Sequence, residues 1–559
     1  MKNIKYTAKK ALYASAIFAF GMAATSCNDM LDTKPQGVFT TEQIGNDEAL
    51  DLMTSAYASM ICHYFENNES FAGPINNWVF DIRSDDAQKG GGELGYEVYM
   101  HEFSIGNVQS DNPILNFKWR NNYYSIARCN TAIRAINAAN DLSDETRKAY
   151  IAEMKTLRAY YYFDMFRIFK KFPYFDENIL DPSSVSASEF TREQIAGFIT
   201  DDLKQAYKDN VETQSEPGRF NRYVAAAVLA RVALFLNDYA TAETYADYVI
   251  KSDKYSLYPN FLDMSKPEMN NQYESVMAVQ FSSANSPDQY NFSNCLNCTI
   301  SEGNLYGNGD DFYLGSQDLV NAFRTDENGL PYLDSSKAPS QNLDKADYPG
   351  NIDPRVDFTF GRIGMPWRGY TYNENWCRNL NNYSQYSGKK PYPSPDSPYV
   401  KPGIVPWGAS SLNYIIVRYA DVLLMKAEAL IEQNKNLDEA RTLINQVRAK
   451  AARSVDPFYT PVDVDPMVAN YLVSEYGAQG WDQNYARKAV RMERRLELAM
   501  EGLRWFDLVR WGDAVNVVNE YYAKEKSLFH YLDNAHLNEA DIFCPIPLNQ
   551  ADNAGDLYK

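Results

Sequence analysis

The sequence predicts a mainly α protein: a tetratricopeptide-like helical-hairpin scaffold carrying a loop-rich, minor-β insertion. Three observations carry that expectation. Apolar side chains recur at spacings of three and four through 115–137 and 150–170, the period of one helix face. Alanine-rich stretches at 223–250 and 414–452 each break once at a polar turn, as helical hairpins with closely packed partners do. Between them, residues 255–412 are poor in helical pattern and rich in Pro, Gly, Asn, Ser and aromatics. A long irregular stretch inside a folded chain is usually functional or mobile.

At the N-terminus, Lys2, Lys5, Lys9 and Lys10 precede an apolar run from Ala11 to Ala24 that is too short and too rich in small residues to stay in a bilayer. Ala24, Thr25 and Ser26 then lead into Cys27. This reads as a lipoprotein signal peptide over 1–26, with Ala24 standing where leucine is commoner. The Cys27 thiol takes a diacylglyceryl group and becomes the new N-terminus, and the two or three acyl chains it then carries anchor stably where one would not. Residues 27–40 read as a lipidated tether, because Asp29, Asp32, Lys34, Pro35 and Gly37 discourage regular structure. The body then spans 41–559, with helical scaffold over about 41–254 and 413–559 on either side of the insertion.

Within the scaffold, Trp119, Tyr123, Ile126, Cys129 and Ile133 mark one helix, and Met154, Leu157, Tyr161, Met165 and Ile168 mark its antiparallel partner. The next hairpin joins 223–236 to 239–250 through Asn237, Asp238 and Tyr239, with Ala226, Ala230 and Ala233 before the turn and Ala242 and Ala246 after it. A similar plan places Ala427 and Ala440 on a hairpin of 414–432 and 437–452. The two hairpins lie far apart in the chain, so they form no tandem array in sequence. Inside the insertion, 274–281 alternates as a strand through Val276, Ala278 and Phe281. Residues 70–112 share the loop-rich character, 485–522 forms the last helical block, and 544–547 closes the chain in extended form.

Composition excludes several functions. Cleavage removes four lysines and no acid, which takes the formal net charge from −19 to −23. Such a body repels phosphate backbones and anionic lipid faces, so nucleic acid is no expected partner. No apolar run beyond the signal approaches the roughly 18 to 20 residues of a spanning helix, which leaves the lipid as the expected membrane attachment. The six cysteines other than Cys27 are scattered, so disulfides are permitted in an oxidising compartment but not demanded. Tyrosine is the outlier, at 42 of 559 residues.

No catalytic or metal site emerges. Glu493, Glu497 and Glu501 fall at i, i+4 and i+8, and paired carboxylates are the equipment of glycosidases. However, Arg491, Arg494, Arg495 and Arg504 share the block and would keep those carboxylates ionised, which defeats a general acid. Structural ion pairing is the expectation, with Trp505 and Trp511 as core. Cys295 and Cys298 lack the second ligand pair of a zinc site and read as a local disulfide or two free thiols. His63, His101, His530 and His536 are too scattered for a triad, and Gly90 to Gly92 lacks the flanking strand and helix of a phosphate loop.

Sugar recognition needs flat apolar faces beside fixed polar groups, and three loops supply both. The first holds Asn76, Asn77, Trp78, Asp81, Arg83, Asp85 and Asp86, with Tyr96 and Tyr99 beyond. The second holds Tyr290, Asn291, Phe292, Asn304, Tyr306 and Asp310, and the third Trp367, Arg368, Tyr370, Tyr372, Asn375, Trp376 and Asn381. Trp78, Asp81, Arg83, Tyr290, Tyr306, Trp367, Tyr370 and Trp376 are the expected ligand contacts. No cofactor is expected beyond the lipid, and the Asp and Asn loops leave a structural calcium open.

Three blocks, VRYADVLLMKAEAL at 417–430, LINQVRAKA at 443–451 and RMERRLELAMEGLRWFDLVRWG at 491–512, resemble the signature blocks of the SusD/RagB family, surface lipoproteins of Bacteroidetes. Supporting stretches are SCNDMLD at 26–32, LRAYYYFDMFRIFKKFP at 157–173, DPRVDFTF at 353–360 and PIP at 545–547. They run in family order over nearly the whole chain. Lys170 and Lys171 depart from the pattern, standing where a glycine commonly precedes the Val-Pro of a family turn. The resemblance implies a helical scaffold with a loop-built ligand face, seated as a lid on a SusC-like TonB-dependent transporter in the outer membrane, facing the cell exterior. It also implies capture of oligosaccharides, or in some members peptides, without cleavage. A glycoside hydrolase is the rival reading, motivated only by the excess of acids.

Overall fold

The computed structural model describes residues 44–61, 76–282, 290–300, 305–306, 309–344, 348–400, 410–455 and 463–558. The signal peptide, Cys27, the 27–40 tether and Asn304 lie outside them. Eleven helices of eight residues or more occur among the described residues: α1 (Asn46–Ala58), α2 (Pro113–Ala138), α3 (Asp144–Ile168), α4 (Arg192–Asp209), α5 (Arg222–Phe235), α6 (Tyr239–Ile250), α7 (Tyr419–Glu432), α8 (Leu437–Arg453), α9 (Gln483–Glu497), α10 (Arg504–Trp511) and α11 (Ala514–Glu525). The strands are short: β1 (Ala87–Gly90), β2 (Ser275–Val279), β3 (Phe312–Gly315), β4 (Arg324–Thr325), β5 (Asn351–Ile352), β6 (Pro366–Trp367), β7 (Tyr370–Thr371), β8 (Tyr414–Arg418) and β9 (Asn470–Tyr471).

Helix ends follow from local chemistry. Asn112 caps α2 ahead of Pro113 by accepting the Ile114 N–H at 3.0 Å, and Ser143 caps α3 by accepting the Thr146 N–H at 3.1 Å. Asp238 starts α6 in the same way, accepting from the Thr241 N–H at 3.1 Å, while Asn237 before it takes a left-handed φ of 60° that asparagine tolerates. Neither α1 nor α4 is among the helices expected from the sequence. For α4 the signals are present: Thr191 and Gln194 form a reciprocal capping box, and Ile195, Ile199, Leu203 and Ala206 repeat on its buried face.

The helices stack in chain order, each on the next, from α1 through α6. Then α6 packs directly against α7, and α7 against α8 and α9. The hairpins that are separated in sequence are therefore adjacent in space, and the array is continuous there. Small residues permit this approach: Ala226, Ala230, Ala242, Ala246, Ala420, Ala427 and Ala440 are all fully buried. A second apolar cluster, including Leu423, Leu424, Ile444, Val447 and Val490, joins α7, α8 and α9.

The stretch 414–432 is not one helix. Its first five residues form β8, because the β-branched run Ile415, Ile416, Val417 suits a pleated strand. β8 pairs antiparallel with β2, with Val279 opposite Tyr414 and Ser275 opposite Arg418. The strand entering the insertion thus hydrogen-bonds to the strand leaving it, and the whole excursion is closed at a two-stranded base beside α7. A second ladder, β1 against β3, pairs Ala87 with Gly315 and Gly90 with Phe312, tying residues 87–90 to the insertion. Parallel pairing of β5 with β9 fastens the insertion to the segment before α9.

Candidate functional site

The three carboxylates of the 491–512 block are structural. Glu493 pairs with Arg355 at 2.7 Å and Arg448 at 2.9 Å. Glu497 pairs with Lys450 at 2.6 Å, Arg418 at 2.9 Å and Arg355 at 3.1 Å. Glu501 pairs with Arg418 at 2.7 Å and with Lys390. Burial pushes the Glu497 carboxyl up, but Lys450, Arg418, Arg355 and Lys390 outweigh it and hold it well below the usual carboxylate range. Glu501 is lowered in the same way, by Arg418 and Lys390 against its burial. Neither group is a general acid near neutral pH. Ion pairing is as expected, but the partners come from the insertion, β8 and α8. The block's own Arg494, Arg495 and Arg504 turn instead to Asp421, Asp86 and Asp85. Glu501 also lies beyond the end of α9, so the three acids do not share one helix face.

Seven of the eight residues expected as ligand contacts are packed away from solvent, five of them aromatic rings. Trp78, Asp81, Arg83, Tyr290, Tyr306, Trp367 and Trp376 are all buried, and Tyr370 is partly exposed. Trp367 stacks on Tyr372 at 5.3 Å and meets Trp376 edge-on at 5.7 Å; with Tyr306, Cys298 and Tyr392 they form the insertion's own core. The Tyr306 hydroxyl donates to the Pro393 carbonyl at 2.7 Å and accepts from Trp367 Nε1 at 3.3 Å. Tyr370 sits at the rim, donating to Asp396 at 2.9 Å.

Trp78 packs against Tyr313 at 5.2 Å. Asp81 accepts from the Tyr313 hydroxyl at 2.7 Å and from the Gly502 and Arg504 N–H groups at 2.8 and 3.0 Å, and burial pushes its carboxyl up to about 7. Arg83 lies over the Trp505 ring at 4.1 Å. The physical reason for this burial is that irregular backbone needs its own apolar filling, so aromatics that look solvent-side in a polar sequence become the filling between loops. Cys298 is buried in the Trp367 cluster.

What the loops bring to the surface is a different aromatic. Tyr96 is 38% exposed and stacks on Phe312 of β3, with centroids 5.8 Å apart and planes within 4°. Its hydroxyl donates to Asp310 at 3.2 Å, Arg378 lies 4.8 Å from its ring centroid, and Arg378 is ion-paired to Asp310. One residue from each of the three loops therefore meets at this point. The backbone N–H of Arg378 donates to Asp311 at 3.0 Å. Asn379 donates to the Gly92 carbonyl at 3.1 Å, and Asn382 to the Glu93 carboxylate at 3.1 Å. Buried Lys89 reaches the carbonyls of Glu93 and Tyr96, which fixes the loop that presents the ring. Gly91 is required there: φ is +76° and a Cβ would lie 2.3 Å from the Phe312 ring.

The result is a half-exposed ring that stacks on Phe312 and lies under the Arg378 guanidinium, beside the Asp310 carboxylate and side-chain amides, polar groups of the kind that pair with sugar hydroxyls. Tyr96 and Asp310 belong to the loops that the sequence singles out, whereas Arg378 does not figure among the expected contacts. Its signal is its place directly after Trp376 and Cys377 and before three asparagines. Among the described residues, no group of three or more His, Cys, Asp or Glu is placed to hold a metal ion, and no helix is long and apolar enough to cross a membrane.

Comparison with known proteins gives consistent matches. A profile described as the SusD family matches residues 273–559, and one described as starch-binding, associating with outer membrane, matches residues 53–234. The chain is similar to SusD-like protein P2 of Formosa agariphila, at 26% identity over 501 residues, covering 88% of each chain. Its fold is similar to a SusD-like carbohydrate binding protein from Bacteroides fragilis, with TM-score 0.72, 21% identity, and coverage of 91% of this chain and 98% of the other. It is also similar in fold to surface glycan-binding protein A from Bacteroides thetaiotaomicron in complex with laminarihexaose, with TM-score 0.66, 19% identity, and coverage of 92% and 99%.

Proposed function

We propose a function from one premise, that this chain belongs to the SusD family: it is a non-catalytic surface lipoprotein that captures oligosaccharides and delivers them to a SusC-like TonB-dependent transporter. Cys27 carries the lipid and holds the body at the outer membrane, facing the cell exterior. The observation that carries the reading is the meeting of Tyr96, Asp310 and Arg378 on the loop-built face. A relative of the same fold is named as a complex with laminarihexaose, a neutral glycan, and a ring flanked by amides suits that class of ligand. Absence of turnover fits the buried, ion-paired state of Glu497 and Glu501, whose lowered pKa values leave them no proton to donate.

The test is calorimetry of the soluble protein lacking residues 1–27 against a broad panel of glycans that includes laminarin oligosaccharides, with reducing ends assayed in parallel. Saturable binding with no release of reducing sugar is the expected result. Binding to none of the panel, or sugar release by the purified protein, would overturn it.

A further inference from the structure

We propose that a second, polar cleft in this protein binds an oxyanion carried by an acidic glycan, through Arg324. The cleft has a volume of about 480 Å³ and is lined by none of Tyr96, Asp310 and Arg378, with Arg324 on β4, Arg495 on α9, Arg504 on α10 and Lys524 on α11 at its walls. Three carboxylates also line it, and each already has a cation. Asp85 takes Arg504 at 2.8 Å and Arg495 at 2.9 Å. Asp318 takes Arg495 at 2.8 Å, and Glu520 takes Lys524 at 2.9 Å.

Arg324 is the cation left over. It is 6% exposed, and its hydrogen bonds go to neutral groups: Nε to the Asn321 carbonyl at 3.0 Å, Nη1 to the Pro339 carbonyl at 2.7 Å and the Gln341 carbonyl at 2.6 Å, and the guanidinium also to the Tyr348 side chain. Among the described residues no carboxylate forms an ion pair with it, and Asp318 acts on it only from longer range. A buried guanidinium without an anion is costly, and burial accordingly pulls its pKa down from the ordinary arginine value. An oxyanion entering the cleft supplies the missing charge, and the planar fork of arginine suits a carboxylate or sulfate.

The size of the cleft points to more than a bare ion, since pockets of roughly 300 to 1,000 Å³ take small organic ligands. Tyr332 and Ser335 at its rim offer hydroxyls to a sugar ring. That the oxyanion is carried by a glycan rests on the function proposed above; the charge argument for Arg324 stands on the cleft itself.

The experiment is calorimetry of the soluble protein with four probes: a glucuronate oligosaccharide, glucose 6-sulfate, the neutral glucose oligosaccharide and inorganic sulfate. Arg324→Gln and Lys524→Ala are compared with the parent, and folding is checked by thermal melting. At least one acidic sugar should bind, weakening about tenfold in Arg324→Gln and several-fold in Lys524→Ala, which changes a partly exposed rim residue and keeps the test valid if the buried variant unfolds. The probe that binds tells carboxylate from sulfate ester. Binding of inorganic sulfate alone, affinity unchanged in both variants, or binding of neither acidic sugar would overturn the inference. In that last case, retained binding of neutral glycans would leave the proposed function standing.

Discussion

Arg418 donates to Glu497 at 2.9 Å, so the last residue of β8, where the insertion ends, is locked to the last residue of α9 on the scaffold. The same guanidinium reaches Glu274 at 2.8 Å and Glu501 at 2.7 Å. Since Glu274 immediately precedes β2, one arginine gathers both strands of the insertion's base and the end of α9. The acid and arginine blocks of the sequence are thus a clasp between the insertion and the helices.

Removing one member of such a clasp leaves buried charges uncompensated. Glu497→Ala is expected to lower stability by about 3–5 kcal/mol, read as a fall in urea midpoint, and to disturb the insertion as well as the helices. A change within 0.5 kcal/mol would mean that the ion pairs carry no such weight.

The insertion's aromatic cluster makes a separate prediction. Trp367 is fully buried between Tyr372 and Trp376, so Trp367→Ala should cost about 3–5 kcal/mol as a large-to-small core change. Full stability with lost glycan binding would instead make it a ligand platform.

Stability should also depend on pH in a stated direction. Glu525 is buried, accepting from Gln88 at 3.1 Å and the Asp318 N–H at 2.6 Å, and burial pushes its carboxyl up to about 8. Asp81 is raised to about 7, against unfolded values of about 4 for both. Between pH 4 and 8 the folded chain therefore holds more protons than the unfolded chain, and this contribution is lost as pH rises through that window. The lowered carboxyl of Glu497 works oppositely: its contribution is present above about 4.3 and lost in acid. The melting temperature should fall from pH 5.5 to pH 8.5, and Glu525→Gln should flatten the fall. A rise over that range would contradict the assignment.

Attachment to the membrane is expected to depend on one thiol. Cys27→Ser should abolish palmitate labelling and release the protein from outer-membrane fractions, since no other acylated residue is expected. Labelling that persists in the variant would refute the anchor.

The scaffold was legible because helix period and alanine spacing are local properties: the hairpin at 223–250 and the helix at 437–452 lie where those signals place them. β8 was hidden because Ile415, Ile416 and Val417 continue without a break into the helical run that starts at Tyr419, and periodicity alone does not divide such a run. The site was legible only as three loops. Which ring stays in solvent depends on how the loops cover one another: Trp376 and Arg378 are two residues apart, yet the first fills the insertion's core and the second reaches the surface beside Tyr96. Nothing local distinguishes them. The partners of Glu493 and Glu497 were equally hidden, since Arg355 and Arg418 come from distant segments.

The most direct measurement is calorimetric titration of the parent protein and Tyr96→Ala with the tightest-binding glycan of the panel. Loss of a stacked ring should weaken binding about tenfold, equivalent to about 1.4 kcal/mol, with the melting temperature nearly unchanged and no sugar hydrolysed by either protein. Equal affinity of the two proteins, or conversion of the glycan during titration, would contradict capture at this face.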